Sequence, residues 1–390
     1  MELLDVFPKD GHIQHLYCDA CGDYLDLTFG QFHENVSGID INISGLPYLH
    51  CHKCDLNYLP DDSRFAIIYS HEQATKDGSR EINVTINKTG QDYGFSKVKF
   101  IYDSDDYKYF PGLKRPWNEG FLTPVFFNKE VLLKYDASPT YRLSFASTTY
   151  GAIWQGDDFS IAFGLNKNGK VIMWLGDIAR MPEPEQYYLR SENVESDHSI
   201  GSEFYDGQRE AKSTDHSKED SLFKRRSDFI EASFKRFGEK LAHLDQEVYD
   251  LAITFNGPVV DTDKERRHVA DTLNKIYVES FDNNALGRVL RALGGYPKNL
   301  GGLKRLQGIL EHIADPKEIS NLMSPFYILY DLRIAYSHLG SKEGSKEKQA
   351  YVKQRLGLSS EAGLFEIYET LINALIESLE KLAKIVSEST

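Results

Sequence analysis

Two Cys-x-x-Cys pairs, Cys18/Cys21 and Cys51/Cys54, use every cysteine in the chain. Four thiolates presented by two tight turns match a structural zinc ion, which takes four soft donors in a tetrahedron. Four cysteines close that shell and leave no position open for catalysis, so the role predicted for Zn²⁺ is structural. Gly22 directly follows the first pair, where a knuckle turn often needs positive φ. Residues 22–50 separate the pairs. That gap is long enough for a β-hairpin and predicts a zinc-ribbon-like module over residues 1–60. The competing reading of the same thiols is disulfide pairing. His12, His15, His50 and His52 lie nearby and can each stand in for a thiolate.

A second constellation sits in residues 330–340, a stretch with helical period. At ~100° per residue, Leu322, Phe326, Leu329, Leu332, Tyr336 and Leu339 share one side. Arg333 falls at the edge of that stripe. His338 points about 140° round from it and roughly 7.5 Å further along the axis. Such a pair can serve one phosphate: Arg clamps and stabilises charge on the phosphoryl oxygens, and His moves a proton. The bland reading is that His338, just before Gly340, complements the helix dipole. Spacing alone does not decide: with four to six residues allowed between Arg and His, Arg64/His71, Arg209/His216, Arg236/His243 and Arg305/His312 also qualify. Context does: Ser324-Pro325 reads as N-cap and first helical residue, and a long helix follows. Three further groups read as structural. Asp197-His198 with Glu203 and Asp206 offers metal donors but reads as a solvated loop, Lys224-Arg225-Arg226 offers phosphate contacts but reads as a solvated helix start, and Trp117, Trp154 and Trp174 read as sheet core rather than base-stacking rings.

The elements that must carry these residues change along the chain. From about 60 to 190 the pattern is period two, rich in β-branched and aromatic residues. Residues 81–87, 97–102 and 125–135 read as strands. Residues 159–165 and 170–175 flank Asn166-Lys-Asn-Gly169, a hairpin turn sequence. Residues 191–220 turn polar and read as an exposed linker. From about 221 the period is helical: one long helix to Asn256-Gly257-Pro258, a second over 264–281, a third near 303–314, a fourth from Ser324-Pro325 to Gly340, and a last over 361–386. Residues 341–348 read as a charged loop. The fold class is α+β multidomain: module 1–60, β-rich domain 61–190, linker 191–220, and an antiparallel helical bundle over 221–390.

The charge is unevenly placed. Residues 221–390 hold 24 Lys+Arg and 24 Asp+Glu, so the whole net charge of −14 falls in residues 1–220. An acidic half repels nucleic acid at long range and suits a protein partner, such as a regulator or trigger. The first residues lack a signal-peptide pattern, and no apolar run reaches membrane-span length, so the expectation is a cytoplasmic protein with reduced thiols and no membrane partner.

The string Leu332-Arg333-Ile-Ala-Tyr-Ser-His338-Leu, late in a helical bundle, resembles the Arg-x(4–6)-His motif of the HEPN family. The resemblance covers about residues 221–390. Many motifs of that family have a polar residue after the Arg, where this chain has Ile334. The resemblance implies a metal-independent endoribonuclease that dimerises through the helical domain, with Arg333 and His338 catalytic and RNA as substrate. It also implies a toxin or phage-defence setting. The alternative is a catalytically inactive adaptor or nucleotide-binding member of the same kind.

Overall fold

The computed structural model describes residues 1–7, 14–156, 159–210, 217–337 and 342–388. The chain divides into two compact units, Met1–Asp215 and His216–Thr390. It is mixed α/β, with sheets in the first unit and helices in the second.

In the first unit a short helix α1 (Leu3–Val6) precedes a long hairpin, β1 (Asp26–Val36) and β2 (Ile39–Cys51). Its turn, Ser37-Gly38, has both residues at positive φ, which suits the twist of a two-residue hairpin. β2 is the central strand. β1 occupies one edge, and β3 (Leu56–Tyr58) and parallel β4 (Glu81–Thr85) share the other. Between β3 and β4 the helix α2 (Asp61–Lys76) lays Ile67, Ile68 and Ala74 on Ile41, Ile43 and Leu46 of β2. The Cys-bearing residues 1–60 and the sheet that follows are thus one folded body, where the sequence predicted two domains.

The second sheet has six antiparallel strands, in the order Asn193–Val194, Pro124–Phe127, Val171–Trp174, Phe159–Leu165, Tyr150–Gln155 and Arg142–Phe145. Helix α3 (Ser104–Tyr109) leads to β5 (Pro124–Phe127), and α4 (Leu133–Ala137) to β6 (Arg142–Phe145) and β7 (Tyr150–Gln155). β8 (Phe159–Leu165) and β9 (Val171–Trp174) form the expected hairpin, with Gly169 at φ 77°. Then come α5 (Leu175–Ile178), α6 (Glu183–Ser191), β10 (Asn193–Val194) and α7 (Glu203–Tyr205). Two expected strands differ. Residues 125–135 leave the sheet after Phe127, and residues 97–102 form no strand. There the Asn193 side chain takes the place of a neighbour, accepting from the Ile101 amide at 2.6 Å and donating to its carbonyl at 3.0 Å. The polar stretch 191–205 is likewise built in rather than exposed: Asn193, Ser199, Ser202, Phe204 and Tyr205 are buried. Of the tryptophans, Trp174 is buried, but Trp117 is 81 % exposed and is not core.

The helical unit comprises α8 (Lys218–Phe237), α9 (Asp245–Thr254), α10 (Asp263–Asn274), α11 (Asn283–Ala292), α12 (Gly302–Glu311), α13 (Pro316–Ser337), α14 (Lys342–Arg355) and α15 (Leu364–Glu388). One apolar core joins them. Gly238, at φ 66°, ends α8 in a left-handed C-cap, so the expected single helix to residue 256 is two. α13 starts at Pro316, with the Asp315 carboxylate accepting from the Glu318 amide at 2.9 Å, and Pro325 lies inside it rather than at its start. The expected loop 341–348 falls largely within α14. The bundle is not antiparallel throughout. Lys218 pairs with Glu369, Arg225 with Glu380, and Arg236 donates to the Val386 carbonyl, so α8 and α15 run parallel. The whole unit separates them in sequence, and no short turn forces them antiparallel. α13 and α14 are antiparallel: Ser345 meets Ala335, and Arg355 meets Asp331 and Ser324.

Candidate functional site

The two Cys-x-x-Cys pairs meet. The Sγ atoms of Cys18, Cys21, Cys51 and Cys54 all lie within 4.8 Å of one another. Cys21 Sγ and Cys51 Sγ are 3.6 Å apart, close to the ~3.8 Å edge of a tetrahedron with metal–sulfur bonds of ~2.3 Å. The two turns repeat one geometry. The Gly22 amide donates to the Cys18 carbonyl, the Asp55 amide donates to the Cys51 carbonyl, each at 2.8 Å, and Gly22 and Asp55 both have positive φ. The first turn hangs on the Tyr17–Tyr24 bridge, and the second closes β2 onto β3. Tyr58 of β3 reaches back, its hydroxyl 3.4 Å from Cys18 Sγ and accepting from the Asp19 amide at 3.0 Å. That hydroxyl, against the opposing effect of burial, brings the Cys18 thiol down to about 6. Cys54 is pushed up to about 12, first by its contact with Cys21 and then by burial. Burial likewise raises Cys51, and a cation that binds displaces thiol protons. The four cysteines therefore fit a metal ion. The histidines go elsewhere: His50 bonds Asn57 at 2.9 Å, and His52 pairs with Asp26 at 3.0 Å. His12 lies outside the described residues, and His15 is not in the cluster.

The second constellation is described in part. Arg333 lies in the last turns of α13 at the rim of the helical core, its side chain 35 % exposed. His338 lies outside the described residues. Arg333 is held by two carboxylates, Asp271 of α10 at 3.5 Å and Glu279 at 3.2 Å. Glu279 ends a π-helical turn, Lys275–Glu279, that continues α10. Widened turns of this kind often mark functional positions, because they re-aim a side chain without ending the helix. Asn274, buried just before that turn, donates to Glu279 at 3.0 Å, and its side-chain oxygen is buried without a partner. A buried amide oxygen left unbonded costs about 1–3 kcal/mol, and here it sits in the network that orients Arg333. Sequence reading missed Asp271, Asn274 and Glu279. They lie more than fifty residues from Arg333 in the chain, and no local spacing links them to it.

The groups read as structural divide as follows. Asp197 accepts from Asn166 and Asn168, Glu203 from Thr149, and Asp206 from Tyr17 and Tyr24. His198 pairs instead with Asp106, Nδ1 to Oδ1 at 2.7 Å. These four residues have separate partners and make no shared metal site. Arg226 is buried and caps the Ile276 carbonyl, while Arg225 faces Asp228 and Glu380. No family model matches the chain, and no curated protein or solved structure matches it.

Proposed function

We propose that the helical unit is a metal-independent endoribonuclease that works as a homodimer, with Arg333 and His338 as its catalytic groups. We infer further that the Cys18/Cys21/Cys51/Cys54 cluster holds one structural Zn²⁺. The observation that carries the catalytic reading is Arg333: an accessible guanidinium, oriented by Asp271 and Glu279, five positions before a histidine. In the reaction the 2′-oxygen attacks phosphorus and the bond to the 5′-oxygen breaks, leaving a 2′,3′-cyclic phosphate. His338 moves protons, from the 2′-hydroxyl or to the leaving 5′-oxygen, and Arg333 stabilises the phosphorane. No external nucleophile is required. A toxin or phage-defence role suits such an enzyme, since RNA cleavage in a cell needs a restraint or trigger. The acidic first unit is the surface for a regulatory protein.

One observation favours the second reading, an inactive adaptor. Two carboxylates already neutralise Arg333, which makes it serve the fold as well as any substrate. RNA cleavage by the purified protein separates the two. On the enzymatic reading, His338→Ala and Arg333→Ala each lose on the order of 10²–10⁴ in rate while staying folded, and EDTA leaves the rate unchanged. Wild-type rates from His338→Ala would rule out His338 as a catalytic group, and a wild-type protein that cuts no RNA would leave the adaptor.

A further inference from the structure

Residues 283–310 contain Arg288, Arg291, Lys298, Lys304 and Arg305 and not one Asp or Glu, in a chain of net charge −14. The fold gathers four of these cations around one cavity of about 660 Å³, between α11, α12 and the loop joining them. Asn283, Arg288, Arg291, Tyr296, Lys298 and Arg305 line it, and no carboxylate does. Arg288 is spent on Glu239, in a two-pronged contact at 2.8 Å. The other three cations have no carboxylate at ion-pair distance among the described residues. Arg305 is fixed in place: one nitrogen donates to the Asn283 carbonyl at 2.6 Å, and its Nε is buried without a partner. Tyr296 is 73 % exposed, beside the buried Pro297 that anchors the loop. Positive φ at Gly294 and Asn299 turns the chain on either side of this stretch. α12 begins behind Gly301, with no side-chain oxygen on its first amides, so its positive end adds to the field.

Unpaired cations, one of them preset, with an exposed aromatic ring beside them form a site for a phosphate with an attached base. We propose that this pocket holds a nucleotide of single-stranded RNA, with the phosphate against Arg291, Lys298 and Arg305 and the base on Tyr296. The choice of RNA rests on the ribonuclease reading; the cationic cavity does not. Its role is to hold the strand, and none of its residues belongs to the catalytic pair.

The test is fluorescence anisotropy on the full-length protein, with a labelled single-stranded oligoribonucleotide of about a dozen residues and a range of salt concentrations. All variants carry His338→Ala, so that nothing is cut. The double variant Arg291→Ala/Lys298→Ala should bind at least tenfold more weakly, and its salt slope should fall by roughly 1.4, two contacts' worth. Tyr296→Ala should lose roughly tenfold with the slope unchanged. These side chains are exposed, and a melting curve like the parent's shows that the fold is kept. Binding and slope unchanged in the double variant would overturn the pocket, as would a parent that binds no RNA. Cleavage is read separately, in wild type and in an Arg291→Ala/Lys298→Ala chain that keeps His338. Wild type that binds RNA through this pocket without cutting it sinks the ribonuclease reading alone. Cutting that survives with parental affinity in the double variant sinks the pocket alone.

Discussion

At the residue scale, the cysteine cluster was legible because its turns are local. Each Cys-x-x-Cys turn carries its own geometry, and only the meeting of the two depended on the hairpin between them. Cys54→Ser should therefore abolish bound zinc, from about one equivalent to none by elemental analysis. Structural zinc supplies on the order of 10–16 kcal/mol in isolated finger peptides, so the first unit should melt well below wild type, as it should after chelation. Retained zinc in that variant would end the four-thiolate assignment. The His198–Asp106 pair was not legible, since ninety residues separate two ordinary side chains. Asp106 is fully buried, accepts from Ser196 at 2.6 Å and from His198 at 2.7 Å, and Phe29 packs edge-on to the imidazole. Burial pulls the imidazole down, but the Asp106 hydrogen bond and charge, with Asp103 behind it, outweigh both that and Lys88, so His198 sits above its ordinary value. Burial also raises Asp106. The histidine shift means that the folded state keeps a proton the unfolded state has released. Its contribution is complete below the unfolded histidine value and is lost as pH rises through the folded one. The first unit should accordingly melt lower at pH 8 than at pH 6, and His198→Gln should flatten that difference. Asp106→Ala, which leaves a half-buried imidazolium without its carboxylate, should cost about 1.5–3 kcal/mol at pH 6. An identical pH profile for His198→Gln would remove the pair from the account.

At the scale of elements, sequence pattern worked where one face is strongly apolar and failed where burial is polar or mixed. α15 and the β8–β9 hairpin were readable because their buried positions are almost all large and apolar. α2 was not: its buried face is Ser63, Ile67, Ile68, Ser70 and Ala74, with Ser63 donating to the Pro47 carbonyl at 2.7 Å. The supposed linker fails for the same reason. Asn193 donates to the carbonyl of buried Phe126 and Asp197 accepts from buried Asn166, which composition cannot distinguish from contact with solvent. The break between α8 and α9 was hidden because Leu241 and Val248 continue the apolar count across it. Gly238 decides it. A Cβ there would meet nothing within 4 Å, so its value is purely conformational. Gly238→Ala should cost about 1 kcal/mol and lower the melting temperature of the helical unit by roughly 2–8 °C, while Gly238→Asn should cost less. Equal losses in both would mean that the left-handed cap is not what ends α8.

At the scale of the whole molecule, the arithmetic of acid–base chemistry bears on assembly. Cleavage at an internal 2′-hydroxyl calls for a base on one side of the phosphate and an acid on the other. One chain offers a single Arg333/His338 set in its helical unit. A two-fold interface doubles the set and places a second histidine on the same phosphate, whereas the monomer must leave one proton to water. Two consequences can be measured together. Light scattering at micromolar concentration should give twice the monomer mass, and specific activity should fall on dilution along the same curve as the dimer fraction. Mixing an Arg333→Ala chain with a His338→Ala chain should then restore part of the lost rate, because the mixed dimer keeps one guanidinium and one imidazole. A monomer with full activity would break the link between assembly and catalysis. A dimer whose mixed variants stay dead would keep the assembly but require each chain to hold its own complete site.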